Sequence, residues 1–162
     1  MATVYVGVGS NIDPENNLHL GIRELRDRYG ELQLSAVYRS KPLGFDGEDF
    51  LNLVASFESD DLPQVICEQI ELIHNLSGRE SESGKWESRP LDIDLLLYND
   101  LVMDERPIRV PRRDVLEYSF VLRPLAELAP DLAHPVTGKS MLEHWQEFDA
   151  SSHPLDVVGV IL

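Results

Sequence analysis

An α+β fold is predicted by three observations. Some stretches alternate apolar and polar residues with the period of a strand, others repeat apolar residues with the period of a helix, and together they run in the order βαββαβ. Thr3 to Gly9 is the first strand, closed by the turn composition Gly9-Ser10-Asn11. Asp13-Pro14 supplies a cap and a first-turn proline for a helix whose stripe is Leu18, Ile22, Leu25 and Tyr29, and Gly30 stops it. Leu32 to Arg39 is a second strand, Lys41 to Asp49 a loop with Pro42, Gly44 and Gly47, and Phe50 to Glu58 a third strand. Asp61 and Gln64 form a capping-box-like pair before a second helix with the stripe Leu62, Ile66, Ile70 and Ile73, ended by Gly78. Arg79 to Arg89, with Trp86 as its one large apolar residue, is expected to be a mobile lid loop, and Leu91 to Tyr98 is the fourth strand.

This order is that of a ferredoxin-like core. Beyond it, short strands are expected near Val102 and Ile108, with helices from Tyr118 to Leu128 and from Met141 to Phe148. A single domain over residues 1–162 is expected, with the apolar tail at 153–162 as an added edge strand.

Composition narrows the function. The net charge is −15, from 29 acidic and 14 basic residues, which opposes binding to nucleic acid or anionic membrane. No apolar run approaches the ~20 residues of a bilayer span, no charged-then-apolar leader is seen, and Cys67 is the single cysteine. A cytoplasmic, monomeric protein acting on small molecules is therefore expected. Seven of the 14 basic residues fall between Arg79 and Arg113, around the chain's most informative segment.

That segment is Arg89-Pro90-Leu91-Asp92-Ile93-Asp94-Leu95-Leu96-Leu97. In a strand Asp92 and Asp94 share a face, and two carboxylates in so apolar a run are costly unless neutralised. Mg²⁺ suits them, because it takes carboxylate oxygens together with substrate phosphates, and carboxylates ~7 Å apart along a strand can hold two ions. The plainer alternative is an edge strand with a wet polar face. Phe50 and Asn52 also share a strand face, offering an aromatic ring for stacking and a carboxamide for the edge of a flat heterocycle. Their plainer alternative is a core phenylalanine beside a rim asparagine.

Trp86-Glu87-Ser88-Arg89-Pro90-Leu91-Asp92-Ile93-Asp94 resembles the signature of the 6-hydroxymethyl-7,8-dihydropterin pyrophosphokinases of folate biosynthesis. So do Gly9-Ser10-Asn11, Tyr38 to Gly44, Phe50-Leu51-Asn52, Gly78-Arg79, Val110-Pro111 and Leu125 to Pro130. The resemblance implies transfer of pyrophosphate from ATP to the pterin hydroxymethyl oxygen with release of AMP. It implies two Mg²⁺ on Asp92 and Asp94, with Arg79 and Arg89 beside them as catalytic residues that also grip ATP. Ser40, Leu43, Phe50, Asn52, Trp86 and Phe120 would surround the pterin, Phe50 and Phe120 on its two faces. Leu95, Arg109 and Arg112 would complete the ATP site. The chain departs from the family pattern at His74 (family Glu), Glu71 (Gln), Ser81, Glu87-Ser88, Arg112 (His) and Tyr118 (Arg). A second reading follows: a divergent paralogue that binds a pterin or nucleotide as a regulatory module with little catalysis.

Overall fold

The computed structural model describes residues 1–78, 90–152 and 154–162. Strand β1 (Ala2–Ser10) leads into helix α1 (Pro14–Tyr29), followed by β2 (Gln33–Leu34), β3 (Val37–Ser40), β4 (Phe50–Ser59), α2 (Pro63–Leu76) and β5 (Asp92–Tyr98). A two-stranded sheet of β6 (Met103–Glu105) and β7 (Ile108–Val110) follows, then α3 (Asp114–Glu117), α4 (Ser119–Leu128), α5 (Met141–Glu147) and β8 (Asp156–Val158). The main sheet has the order β5-β1-β4-β3-β8, with β2 also on β4, and these strands pair antiparallel. Its first four strands have the ferredoxin-like arrangement, and the tail adds the edge strand β8.

Both faces of the sheet are covered. Leu18, Ile22 and Leu25 of α1 and Ile66, Ile70 and Ile73 of α2 pack on Val4, Val6, Val8 and Ile93 from one side. Leu122 and Leu125 of α4 and Met141 of α5 pack with Val54, Leu96 and Leu97 from the other. That is why β4 is buried from Leu51 to Phe57 instead of alternating. The chain pairing of β1 and β5 shifts register between Tyr5 and Val6, which pair with Leu97 and Leu95. Leu96 is left over as the extra residue of a bulge.

Four local expectations are corrected. The strand foreseen over Leu32 to Arg39 breaks at Ser35-Ala36. There Ser35 Oγ accepts the Val54 N–H at 3.0 Å, and Glu127 Oε2 accepts the Ala36 N–H at 2.8 Å, so side chains take over the ladder's partners. No capping box forms at α2: Leu62 occupies the cap and is exposed, Pro63 opens the helix, and the Asp61 N–H donates to Ser59 Oγ. Asp13 is not a side-chain cap for α1, since its carboxylate accepts from Asn16 Nδ2 and its backbone is left-handed at φ 44°. The strand β1 also runs through Gly9 to Ser10, where a turn was foreseen.

Glu127 ties the second helical layer to the sheet. Tyr38, buried in β3, donates its hydroxyl to Glu127 Oε1, while Arg123 lies 4.9 Å from the centre of the Tyr38 ring. Burial, reinforced by Glu127, pushes the Tyr38 phenol up to about 12, so it stays a donor at neutral pH. Tyr38→Phe should therefore lower the unfolding free energy by about 1–2 kcal/mol in urea titration, the worth of one bond to a partly exposed carboxylate. A variant as stable as the parent would deny the Tyr38–Glu127 bond this role.

Candidate functional site

β1 lies between β4 and β5, so its end meets the beginnings of both. Gly9 is paired with Asn52 on one side and Asp92 on the other; Gly7 is paired in the same way with Val54 and Asp94. Two rows thus cross three strands, each with a glycine in the middle. Side chains in register share a face, so nothing but backbone separates Asn52 from Asp92. The glycine is required: a Cβ on Gly9 would stand 2.6 Å from Asn52 Oδ1. Asn52 is buried and donates from Nδ2 to Ser40 Oγ at 2.8 Å, which fixes its carboxamide. Ser40 thus contributes its hydroxyl, not only backbone.

These rows floor a cavity of about 210 Å³ whose walls include Ser40, Leu43, Phe50, Asn52 and Phe120. The structure brings together in one place every described residue foreseen for the heterocycle. It adds Phe45, whose ring meets Phe50 edge-on at 6.3 Å. Tyr118 stacks on Phe120, with ring centres 5.1 Å apart and planes 13° apart. Tyr118, foreseen only as a lost cation, thus backs an aromatic wall. Burial, helped by Asp114 and Glu117, raises its phenol, which favours the neutral ring.

Asp92 and Asp94 lie on the rim of this cavity, half-buried, while Ile93 between them is buried on the opposite face. Arg112 stands beside them, with its guanidinium 3.5 Å from Asp94 and 3.3 Å from Asp114. Burial disfavours its charge, but Asp94 and Asp114 outweigh burial and the net shift is upward. Arg112 Nε is buried and lacks a partner in hydrogen-bonding geometry, although Asp114 is near it in charge. An anion able to accept from that fork would satisfy it. Arg113 points away: it is largely exposed and paired with Glu117.

A second cavity, of about 650 Å³, opens between α2 and β7 and is lined by Cys67, Glu71, Leu95, Arg109 and Arg112 among others. Arg109 keeps an exposed ion pair to Asp104 at 3.4 Å. Asp94 and Arg112 belong to both cavities. The site is therefore two chambers that meet at one carboxylate and one guanidinium. Arg79, Trp86 and Arg89, also foreseen for the site, lie outside the described residues.

Among the described residues no three His, Cys, Asp or Glu side chains converge as a self-sufficient metal site. Two carboxylates of one strand face, at a junction that also offers a cation for anions, fit a hard divalent ion that completes its shell with phosphate and water. Sequence reading missed Gly7, Gly9 and Phe45. The alternation Gly7-x-Gly9 beside an otherwise apolar strand was the available signal for a close approach.

The 7,8-dihydro-6-hydroxymethylpterin-pyrophosphokinase (HPPK) family matches residues 5–130. The chain is 36% identical over 145 residues to the 2-amino-4-hydroxy-6-hydroxymethyldihydropteridine pyrophosphokinase of Aquifex aeolicus, covering 88% of this chain and 90% of that one. It is 35% identical over 140 residues to the enzyme of the same name from Haemophilus influenzae, covering 83% and 86%. Among solved structures it is similar to wild-type HPPK-DHPS of Plasmodium falciparum, with a TM-score of 0.71 at 12% identity over 90% of this chain. It spans 44% of that Plasmodium chain.

Gly9→Ala should displace the Asn52 carboxamide, break its bond to Ser40, and cost about 1–3 kcal/mol of stability as overpacking does. A crystal structure of the variant and its denaturant midpoint check this. An unmoved Asn52 with unchanged stability would contradict the three-strand row.

Proposed function

We infer the chemistry of this chain from its family: it belongs to the 7,8-dihydro-6-hydroxymethylpterin-pyrophosphokinases. It is an enzyme of folate biosynthesis that transfers the pyrophosphoryl group of ATP to the hydroxyl of 6-hydroxymethyl-7,8-dihydropterin and releases AMP. The observation that carries the residue-level reading is the meeting of two chambers at Asp94 and Arg112. The dihydropterin takes the aromatic chamber, between Phe50 and Phe120, with its edge against Asn52. ATP takes the other, along Leu95 and Arg109, and its phosphates reach the junction. In the reaction the hydroxymethyl oxygen bonds to the β-phosphorus, and the bond from that phosphorus to the bridging oxygen breaks, so AMP leaves with that oxygen.

Little covalent work falls to side chains in such a transfer; positioning and charge neutralisation dominate. Asp92 and Asp94 would hold two Mg²⁺, which neutralise phosphate charge and polarise the β-phosphoryl group. Asn52, fixed by Ser40, orients the heterocycle, and the bare strip at Gly9 lets it lie close to Asp92. Arg112 turns from its carboxylate partners toward phosphate, supplying the positive charge that a family histidine otherwise provides. Arg79, Arg89 and Trp86 complete the proposed site from the sequence resemblance alone. With Arg112 beside Asp94 and Tyr118 built into the aromatic wall, two departures from the family pattern leave this arrangement equipped for turnover.

A single domain is supported by one sheet carrying both core clusters. No described helix is long and apolar enough to cross a membrane. A cytoplasmic monomer acting on small molecules, without nucleic acid or membrane partners, completes the proposal. The lone cysteine supports the compartment, and the charge of −15 opposes polyanionic partners.

Asp92→Asn and Asp94→Asn should each lower ATP- and pterin-dependent AMP release by about 10³-fold or more at saturating Mg²⁺, since several kcal/mol of charge stabilisation is lost. Melting temperatures near the parent's would exclude unfolding as the cause. Near-normal turnover in either variant would refute the two-aspartate reading. Phe50→Ala should weaken binding of all pterins, whereas Asn52→Ala should chiefly lose discrimination between altered ring edges. Equilibrium titration with a pterin series separates the two; normal binding with lowered stability in both would make them core residues only.

A further inference from the structure

We propose that His74 is a positioning residue for the Asp92–Asp94 pair, an inference that rests on the reading of those aspartates as metal ligands. Among the described residues β5 is an edge strand, with β1 on one side and no strand on the other. Its outward backbone groups need other partners if the strand is to hold still. One is Leu96, whose carbonyl accepts the Arg112 N–H at 2.9 Å. Another is Ile93, whose N–H donates to His74 Nε2 at 2.8 Å.

The Ile93 N–H belongs to the peptide that follows Asp92 and precedes Asp94. Anchoring that peptide plane restrains the backbone torsions on either side of it, ψ of Asp92 and φ of Ile93, and so steadies the stretch of strand that carries both carboxylates. His74 is well suited to the task. It is buried, it projects from α2 within the hydrophobic layer built by Ile70 and Ile73, and it lines neither cavity. Because Nε2 accepts from Ile93, the ring proton sits on Nδ1, which donates to Glu71 Oε1 at 3.2 Å. Glu71 thereby holds the tautomer that Ile93 requires. His74 was foreseen only as a departure from the family pattern; its geometry directs it to the strand that carries the proposed metal ligands.

The consequence is a kinetic signature that packing alone would not produce. Displacing catalytic groups by ~1 Å can cost about 10²-fold in rate, while both substrate chambers stay intact. His74→Gln sets an amide oxygen where Nε2 was and retains an acceptor for Ile93. His74→Asn reaches only the Nδ1 position, and His74→Leu keeps volume without any acceptor. Turnover of His74→Gln should stay within about threefold of wild type, whereas His74→Leu and His74→Asn should lose roughly 30–100-fold in kcat. The KM values for ATP and dihydropterin should move little. Two readouts do not depend on turnover: hydrogen exchange of the Ile93 amide, and Mn²⁺ titration in the presence of a non-hydrolysable ATP analogue. Ile93 protection and Mn²⁺ affinity should persist in His74→Gln and fall in His74→Asn and His74→Leu.

A folded His74→Leu with wild-type kcat, Ile93 protection and Mn²⁺ affinity overturns the inference. If His74→Leu does not fold, His74→Gln still decides: an impaired His74→Gln means that the acceptor at Ile93 is not the cause. A wild type that binds no Mn²⁺ with the nucleotide analogue overturns the aspartate reading itself. A wild type that binds it, and a His74→Leu that binds it equally, removes the role of His74 alone.

Discussion

The site depends on the pairing of one strand with two neighbours. β1 fixes Asn52 of β4 and Asp92 of β5 in a single row across Gly9, and Val54 and Asp94 across Gly7. Backbone hydrogen bonding sets this spacing, so the residues proposed to read the heterocycle and to hold the metal are placed by the sheet itself instead of by loops. Sites on regular elements hold their geometry better than sites on loops, which matters for a transfer achieved by positioning. The price is paid at the edge: among the described residues no strand flanks β5 on its outer side, and His74 and Arg112 bond there to Ile93 and Leu96.

Charge is the second constraint. On the proposed reading, a chain of −15 draws a polyanionic nucleotide to a site that already contains Asp92, Asp94 and Asp114. Arg112 lies among them and holds its proton more firmly for doing so, despite its burial. In this arrangement the carboxylates are partly balanced before any ligand arrives. A divalent ion held by Asp92 and Asp94, as proposed, would take the place of the guanidinium at Asp94 and leave Arg112 to phosphate. A binding module without turnover would have little use for such a cluster at the meeting point of two chambers.

The sequence made the sheet order and the site's composition legible because both depend on periodic patterns. Alternation placed Asp92 with Asp94 and Phe50 with Asn52, and the structure sets all four around one cavity. Where sequence reading failed, side chains had displaced backbone partners. Ser35 and Glu127 break a strand that looked continuous, and Asn16 occupies the Asp13 carboxylate that looked like a cap. Gly7 and Gly9 were hidden for another reason. A glycine in a strand reports only that something is absent, and what fills the space belongs to the next strand. Tyr118 and His74 were read against a family pattern as lost or altered charges; their burial and ring geometry reveal other work.

The proposed transfer carries pyrophosphate between two chambers that meet at Asp94 and Arg112, with Asp92 on the aromatic side. A crystal structure with a non-hydrolysable ATP analogue, 6-hydroxymethyl-7,8-dihydropterin and Mn²⁺ tests it most directly, because Mn²⁺ is located by its anomalous scattering. The pterin should lie between Phe50 and Phe120, the nucleotide along Leu95 and Arg109, and Mn²⁺ at Asp92 and Asp94 beside the phosphates. The pterin hydroxymethyl oxygen should point at the β-phosphorus. Metal bound away from both aspartates, or a nucleotide seated in the aromatic chamber, would contradict it.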